Sequence, residues 1–165
     1  MAWTAPQDWV AGDVVTAAEL NQQVRDNLKT IGDPWTAFTP VWAGGVSAIG
    51  NAVVTARYAQ SGKWVRGWIH AVFGSSTTFA AADIFITPPV PVLAADLIPI
   101  GHGIIHDASV GIGSRAGCVA YMTTSASVRY IELVTGTTGQ VLTNTSPFTW
   151  TTSDTLAVAF EYEAS

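Results

Sequence analysis

Charge is what this chain has least of. Of its 165 residues, 12% are charged, about half the share usual in a soluble domain. With so little charge to display, either partner subunits cover much of the surface or Thr, Ser, Gly and Ala build it. Cations are scarcest. Seven lysines and arginines stand against twelve acids, for a net charge of −5. Arg25, Lys29, Arg57, Lys63, Arg66, Arg115 and Arg129 are scattered, whereas nucleic-acid binding needs clustered cations that displace counterions. Nucleic acid and anionic membrane surfaces are therefore excluded as expected partners. The single cysteine, Cys118, rules out an intrachain disulfide, and one Cys with three His at these spacings makes no zinc pattern. Cys118 lies in an alternating apolar run and reads as a small buried hydrophobe. Long apolar runs are missing too. Polar residues and prolines interrupt every candidate membrane span. No basic region followed by an apolar run opens the sequence, so no signal peptide is expected and the chain is expected to be made in the cytoplasm.

What is present begins with apolar content. Hydrophobic residues make up 48% of the chain, enough for a substantial core in one domain plus an appendage. Three parts are expected: an arm over 1–15, a helix over 16–32 and a β-rich domain over 33–165. The arm carries Trp3, Pro6 and Trp9 without periodicity. Two large aromatic side chains would be costly to leave in water, so they are expected to dock into a groove, on this protein or on a partner. The helix is announced by a capping box, Thr16-Ala17-Ala18-Glu19, with Gly32 as the stop and Pro34 beyond it. Its apolar positions, Ala17, Leu20, Val24, Leu28 and Ile31, recur at spacings of three and four and make one narrow stripe. A helix of about four turns is marginal alone in water. The stripe can lie on the β-domain or pair with copies of itself. The thin seam and the scarcity of charge favour self-association through Leu20, Val24, Leu28 and Ile31, with Asn27 beside the seam able to set the register.

From Trp35 onward the pattern is that of strands, expected at 38–42, 52–59, 63–73, 83–87, 98–106, 115–123, 127–134, 147–151 and 156–163. The last is the clearest: Leu156, Val158, Phe160 and Tyr162 point one way, Glu161 and Glu163 the other. In the seventh, Glu132 and Val134 alternate with Ile131 and Leu133, so apolar residues lie on both faces. The proline-rich run from Pro88 to Ala95 cannot be a central strand and reads as an extended crossover. About nine short strands with no later helix predict a mainly β fold, an antiparallel, jelly-roll-like β-sandwich preceded by one short oligomerising helix.

Three motifs carry a resemblance. Gly12-Asp13-Val14-Val15-Thr16-Ala17-Ala18-Glu19-Leu20-Asn21, followed by Val24-Arg25-Asp26-Asn27-Leu28, resembles the N-terminal region of small tail or appendage proteins of bacteriophages. Trp35-Thr36-Ala37-Phe38-Thr39-Pro40 is similar to the opening of β-sandwich domains in phage tail-fibre, receptor-binding and appendage proteins. Tyr58-Ala59-Gln60-Ser61-Gly62-Lys63-Trp64-Val65 is similar to a segment that follows such openings. The Ala/Thr/Val/Gly-rich style resembles phages of actinobacteria. The resemblance implies a virion structural protein rather than an enzyme: a minor tail or head-fibre-like appendage, commonly a homotrimer. It would attach to other virion proteins through the N-terminal arm, Trp3 and Trp9 included, and display its β-domain to a host-surface glycan. The alternatives it leaves open are a capsid decoration protein without a receptor role and a carbohydrate-active enzyme or binding module.

The residues themselves offer little catalysis. His102 and His106 lie four apart, about 13 Å along a regular strand, too far to share one ion without a bulge at Gly101 or Gly103; no metal and no cofactor are expected. His70 reads as an ordinary strand residue. Glu132, Glu161 and Glu163, with Asp83, Asp96, Asp107 and Asp154, would supply glycosidase chemistry only if two of them faced each other across a cleft. No nucleophile elbow or phosphate-cradling loop is present, and no catalytic residue is expected. Seven Trp leave a different possibility. Trp64, Arg66, Trp68 and His70 share strand parity, and Trp64, Arg66 and Trp68 form an aromatic–cation–aromatic stripe suited to stacking on sugar rings. The competing reading is a core or intersubunit face.

Overall fold

A computed structural model describes residues 4–93, 97–125, 128–135 and 140–165. One helix, α1, spans 17–32, built from α-helical turns at Ala17–Leu20 and Asn27–Gly32 around a π-helical segment at Asn21–Asp26. Its start is the expected capping box. Thr16 Oγ1 accepts from the Glu19 amide at 3.2 Å, and Glu19 Oε2 accepts from the Thr16 amide at 2.8 Å. Its end differs. Gly32 stays inside the helix rather than adopting the left-handed conformation. The stop is Asp33, extended at φ −64, ψ 145, as the residue before Pro34 must be.

Nine strands follow: β1 (Thr36–Ala37), β2 (Trp42–Ala48), β3 (Val53–Ser61), β4 (Trp64–Val72), β5 (Thr78–Ile86), β6 (Ile98–His106), β7 (Arg115–Ser125), β8 (Val128–Thr135) and β9 (Thr155–Glu163). All pair antiparallel in the order β1-β3-β4-β9-β6-β7-β8-β5-β2. The mainly β, antiparallel expectation is met, but the two separate sheets of a sandwich are not. One ladder runs from edge to edge and curls strongly into a half-barrel. The reason lies at its edges. β1 and β2 are the outermost strands, yet only residues 38–41 separate them, so extended chain leaves the two edges at most about 18 Å apart there. Phe38 and Pro40 tuck into that corner, and the Phe38 amide donates to Ala56 O at 3.1 Å. The curl turns β5 and β2 over β4, where the Phe73 ring just beyond β4 meets Trp42 at 6.0 Å and Phe79 at 5.0 Å.

The alternation seen in sequence sets the inside of the curl. Val65, Ile69, Ala71, Leu156, Val158, Phe160, Ile105, Met122, Leu133 and Ile84 are all buried. Cys118 is buried with them, as expected. The ladder is weakest between β5 and β8, which pair only at Phe85↔Glu132 and Ile86↔Ile131. Residues 140–142 fill the gap: the Leu142 amide donates to Leu133 O at 2.9 Å, and the Ile84 amide to Leu142 O at 2.8 Å.

Three expected strands need correction. The strand expected at 38–42 is displaced: residues 38–41 form no strand, and β2 starts at Trp42 and runs to Ala48 through Gly44 and Gly45, where side chains would strike β5: a Cβ on Gly44 would lie 2.2 Å from Asp83 O. β5 begins at Thr78, five residues before the expected start. Residues 147–151 form no strand. Trp150 instead bonds within its own loop, Nε1 to Thr143 O at 2.9 Å, and its buried ring packs on Phe73 at 5.2 Å. Ser127, the expected start of the seventh strand, lies outside the described residues, as do Ala94 and Ala95 of the crossover. The described part of that crossover is pinned by Tyr162, whose hydroxyl accepts from the Val90 amide at 3.1 Å and donates to Val90 O at 2.9 Å.

Candidate functional site

Register builds the outer face of the sheet. β4 and β9 pair Trp64↔Glu163, Arg66↔Glu161, Trp68↔Ala159 and His70↔Ala157. β9 and β6 pair Ala159↔His102 and Ala157↔Ile104. All of these side chains point away from the core, because the residues between them are the buried set. Small residues on β9 therefore form a floor, with larger side chains of β4 and β6 standing on either side.

That floor lies in a trough made of three adjoining hollows. The central one, about 480 Å³, is lined by Trp35, Trp64, Arg66, His102 and Glu161 over Gly101 and Ala159. On the helix side, a hollow of about 450 Å³ shares Trp35, Trp64 and Arg66 and adds Ile31, Asp33 and Gln60. On the far side, one of about 470 Å³ shares His102 and Ala159 and adds Trp68, His70 and Ile104. Trp64 and Arg66 thus share one hollow, whereas Trp68 lines the neighbouring one with His70. Three residues of strand separate the two Trp along the trough.

Arg66 faces Glu161 across the ladder but does not pair with it. Its guanidinium carbon stands 5.4 Å from the centroid of the Trp35 ring, a cation–π arrangement. Among the described residues the one ion pair within 4.0 Å is Arg25–Asp26. Arg66 therefore stays solvated, with guanidinium donors available. Trp35 escaped the sequence reading as a site residue. It lies outside any alternating run, and only the fold brings it beside β4.

Among the described residues, the helix stripe has no apolar partner. Leu20, Val24, Leu28 and Ile31 are 53%, 47%, 61% and 63% exposed. The covered side is the polar one. Asn27, 4% exposed, clamps the arm with its amide: the Thr4 amide donates to Oδ1 at 3.0 Å, and Nδ2 donates to Thr4 O at 2.9 Å and to Gln23 O at 3.1 Å. The Gln7 amide donates to Gln23 Oε1 at 3.0 Å. Asn27 therefore points toward the arm and away from the stripe. Trp9 is exposed; Trp3 lies outside the described residues.

Among the described residues the acids and histidines are dispersed; Asp96 lies outside them. Glu161 is the one carboxylate lining the central hollow, where paired-acid hydrolysis needs two. His102 stands on the trough, while His106 turns toward Gly111, its Nε2 3.2 Å from that carbonyl. Among the described residues, no three His, Cys, Asp or Glu side chains converge as metal ligands. Burial pushes the Cys118 thiol up to about 11, out of the nucleophilic range.

One polar cluster was missed. Glu132, nearly fully buried on the outer face, accepts from the Tyr121 hydroxyl, with Thr123 and Asp83 close by. Burial holds its carboxyl above the usual carboxylate range; Asp83 adds to this, and the Tyr121 and Thr123 hydroxyls oppose it. The alternation set Glu132 on the face opposite Ile131 and Leu133 without showing which face is outer, and the neighbours that cover it come from β5 and β7. Neither Glu132 nor Asp83 lines the trough.

No helix of the described residues is long and apolar enough to cross a membrane. No family model, curated protein or solved structure matches the chain.

Proposed function

We propose that this chain is a non-enzymatic structural component of a phage particle: a homotrimeric appendage held to other virion proteins by its N-terminal arm and displaying its β-domain to a host-surface glycan. The observation that carries the reading is the division of α1 into two faces. The polar face is occupied by the arm. The apolar face, Leu20, Val24, Leu28 and Ile31, is left to water although a thin apolar seam is what helices bury against copies of themselves. The resemblance of the helix and Trp35 motifs to phage appendage proteins supplies the particle.

Glycan recognition is assigned to the trough. Trp64 and Trp68 offer ring faces, Arg66 offers donors, and His102 and Glu161 stand between them over a floor of small residues. Sugar rings are recognised by such a combination of flat apolar faces and a few polar groups. A capsid decoration role without a receptor is favoured by a different observation: the trough begins beside α1, and the loops at the opposite end carry none of its aromatics.

Binding of the protein to an array of bacterial surface oligosaccharides tests the receptor role. Binding that falls at least tenfold in Trp64→Ala and in Trp68→Ala supports it; no binding by the wild type leaves the decoration reading. Deleting residues 1–15 should abolish particle association while the β-domain stays folded, and retained association would overturn the role of the arm.

A further inference from the structure

We infer that the trough takes an internal stretch of a linear, uncharged glycan, at least three pyranose units long, laid along β4. This rests on the glycan recognition proposed above and names the class of glycan.

Length comes first. Trp64 and Trp68 face outward from one strand, four positions apart, which sets their Cα atoms roughly 13 Å from each other. With single bonds near ~1.5 Å, one pyranose and its linkage advance a chain by roughly 5 Å. Rings centred on the two Trp are thus roughly two to three linkages apart, which takes three units or four. The central hollow gives the middle of such a chain its place. It shares Trp64 and Arg66 with the hollow toward α1, and His102 and Ala159 with the hollow beyond. It therefore continues into a neighbour at each end, whereas a pocket for a chain terminus is walled at one. The floor lets a flat chain lie close to the sheet, because Ala157 and Ala159 on β9 and Gly101 and Gly103 on β6 carry nothing larger than a methyl group.

Charge sets the class. One guanidinium, Arg66, and two carboxylates, Glu161 and Asp33, line the three hollows, and Arg66 pairs with neither within 4.0 Å. Register places Arg66 and Glu161 opposite each other on neighbouring strands. Hydroxyls both donate and accept, so one hydroxyl of a sugar can give a hydrogen bond to Glu161 while the next takes one from Arg66. A uronate would gain Arg66 but meet two carboxylates, on a chain of net charge −5 that repels anions at long range. A cationic sugar would gain the carboxylates but press against Arg66. An uncharged ring satisfies both signs at once.

The test uses bacterial surface oligosaccharides graded from one to six units, in a neutral and a uronate-bearing series, with binding read by titration calorimetry. In the neutral series, affinity should rise at least tenfold between two units and four and level off beyond. Uronate-bearing members of equal length should bind at least tenfold more weakly at low salt, and the gap should close as salt screens the charges. Trp68→Ala and, separately, Trp64→Ala at an exposed position should flatten the length dependence, so that four units bind no better than two, with unchanged sheet signal in circular dichroism. Glu161→Gln should narrow the discrimination against uronates at least threefold. Two units that bind as tightly as four, uronates that bind as tightly as neutral members, or a length dependence kept in both Trp variants overturns the inference and leaves glycan recognition standing. Absence of binding throughout both series overturns both.

Discussion

Replacing Asn27 by alanine should release the N-terminal arm without melting the helix. The Asn27 amide makes two hydrogen bonds to Thr4 and one to Gln23 O. Each such bond contributes roughly 0.5–1.5 kcal/mol net, so losing the two that hold the arm should weaken docking by about 2 kcal/mol, or about 30-fold in the population of the open arm. Alanine is the better helix former by up to ~0.7 kcal/mol, and the capping box at Thr16 is untouched. The readout is amide hydrogen exchange. Residues 4–7 should lose about 30-fold in protection while residues 24–31 keep theirs. Asn27→Asp should be worse near neutral pH. It replaces the donor facing Thr4 O and Gln23 O with an acceptor and places a charge at a site 4% exposed, and it should recover partly as the carboxylate protonates. Unchanged protection of the arm in Asn27→Ala, or equal effects of Ala and Asp at neutral pH, would refute the clamp.

Other consequences can be tested separately. Gly67→Ala places a Cβ 2.4 Å from Phe160 Cζ and 3.0 Å from Arg57 O, so the Phe160 ring must move; a loss of about 1–3 kcal/mol is expected in denaturant unfolding, and wild-type stability would contradict the packing. Tyr162→Phe removes both hydrogen bonds to Val90 and should cost about 1–3 kcal/mol, with faster proteolysis of the crossover after β5. Glu132 has the opposite pH sense to an ion-paired carboxylate. Its folded value is raised, so its contribution to stability is full below the unfolded carboxyl range and is lost as pH rises through the folded value. Glu132→Gln keeps an acceptor for Tyr121, so its thermal midpoint should exceed that of the wild type at neutral pH and converge with it near about pH 4. A variant less stable than the wild type at neutral pH would show that the charge is stabilised in place.

The parts of the fold written locally were legible. Thr16 and Glu19 announce the helix, Leu156 to Glu163 announce β9, and Gly62 marks the hairpin between β3 and β4, where its φ of +61 suits glycine. The Tyr58–Val65 motif is thus explained as hairpin chemistry. What depends on distant pairing was not legible. β2 was expected at 38–42 and lies at Trp42–Ala48, because the close approach of β5 that requires Gly44 and Gly45 cannot be read from the local sequence. One sheet could not be told from two, since that turns on the short β5–β8 contact and on Leu142 filling the gap beside it. The stripe of Trp64, Arg66 and Trp68 was read from parity alone. That β9 supplies an alanine floor and β6 supplies His102 follows only from the order β4-β9-β6, whose members are far apart in sequence. The same holds for Glu132, whose face the alternation left unassigned and whose covering neighbours come from β5 and β7.

Self-association through α1 is the claim on which the rest stands, and solution mass tests it most directly. Light scattering at tens of micromolar should give the mass of three copies of the 17.3 kDa chain, and Leu20→Asp with Val24→Asp, both at exposed positions, should reduce it to one copy with the β-domain still folded. A single-chain mass for the wild type across that range, or an unchanged oligomer in the double variant, would contradict the account.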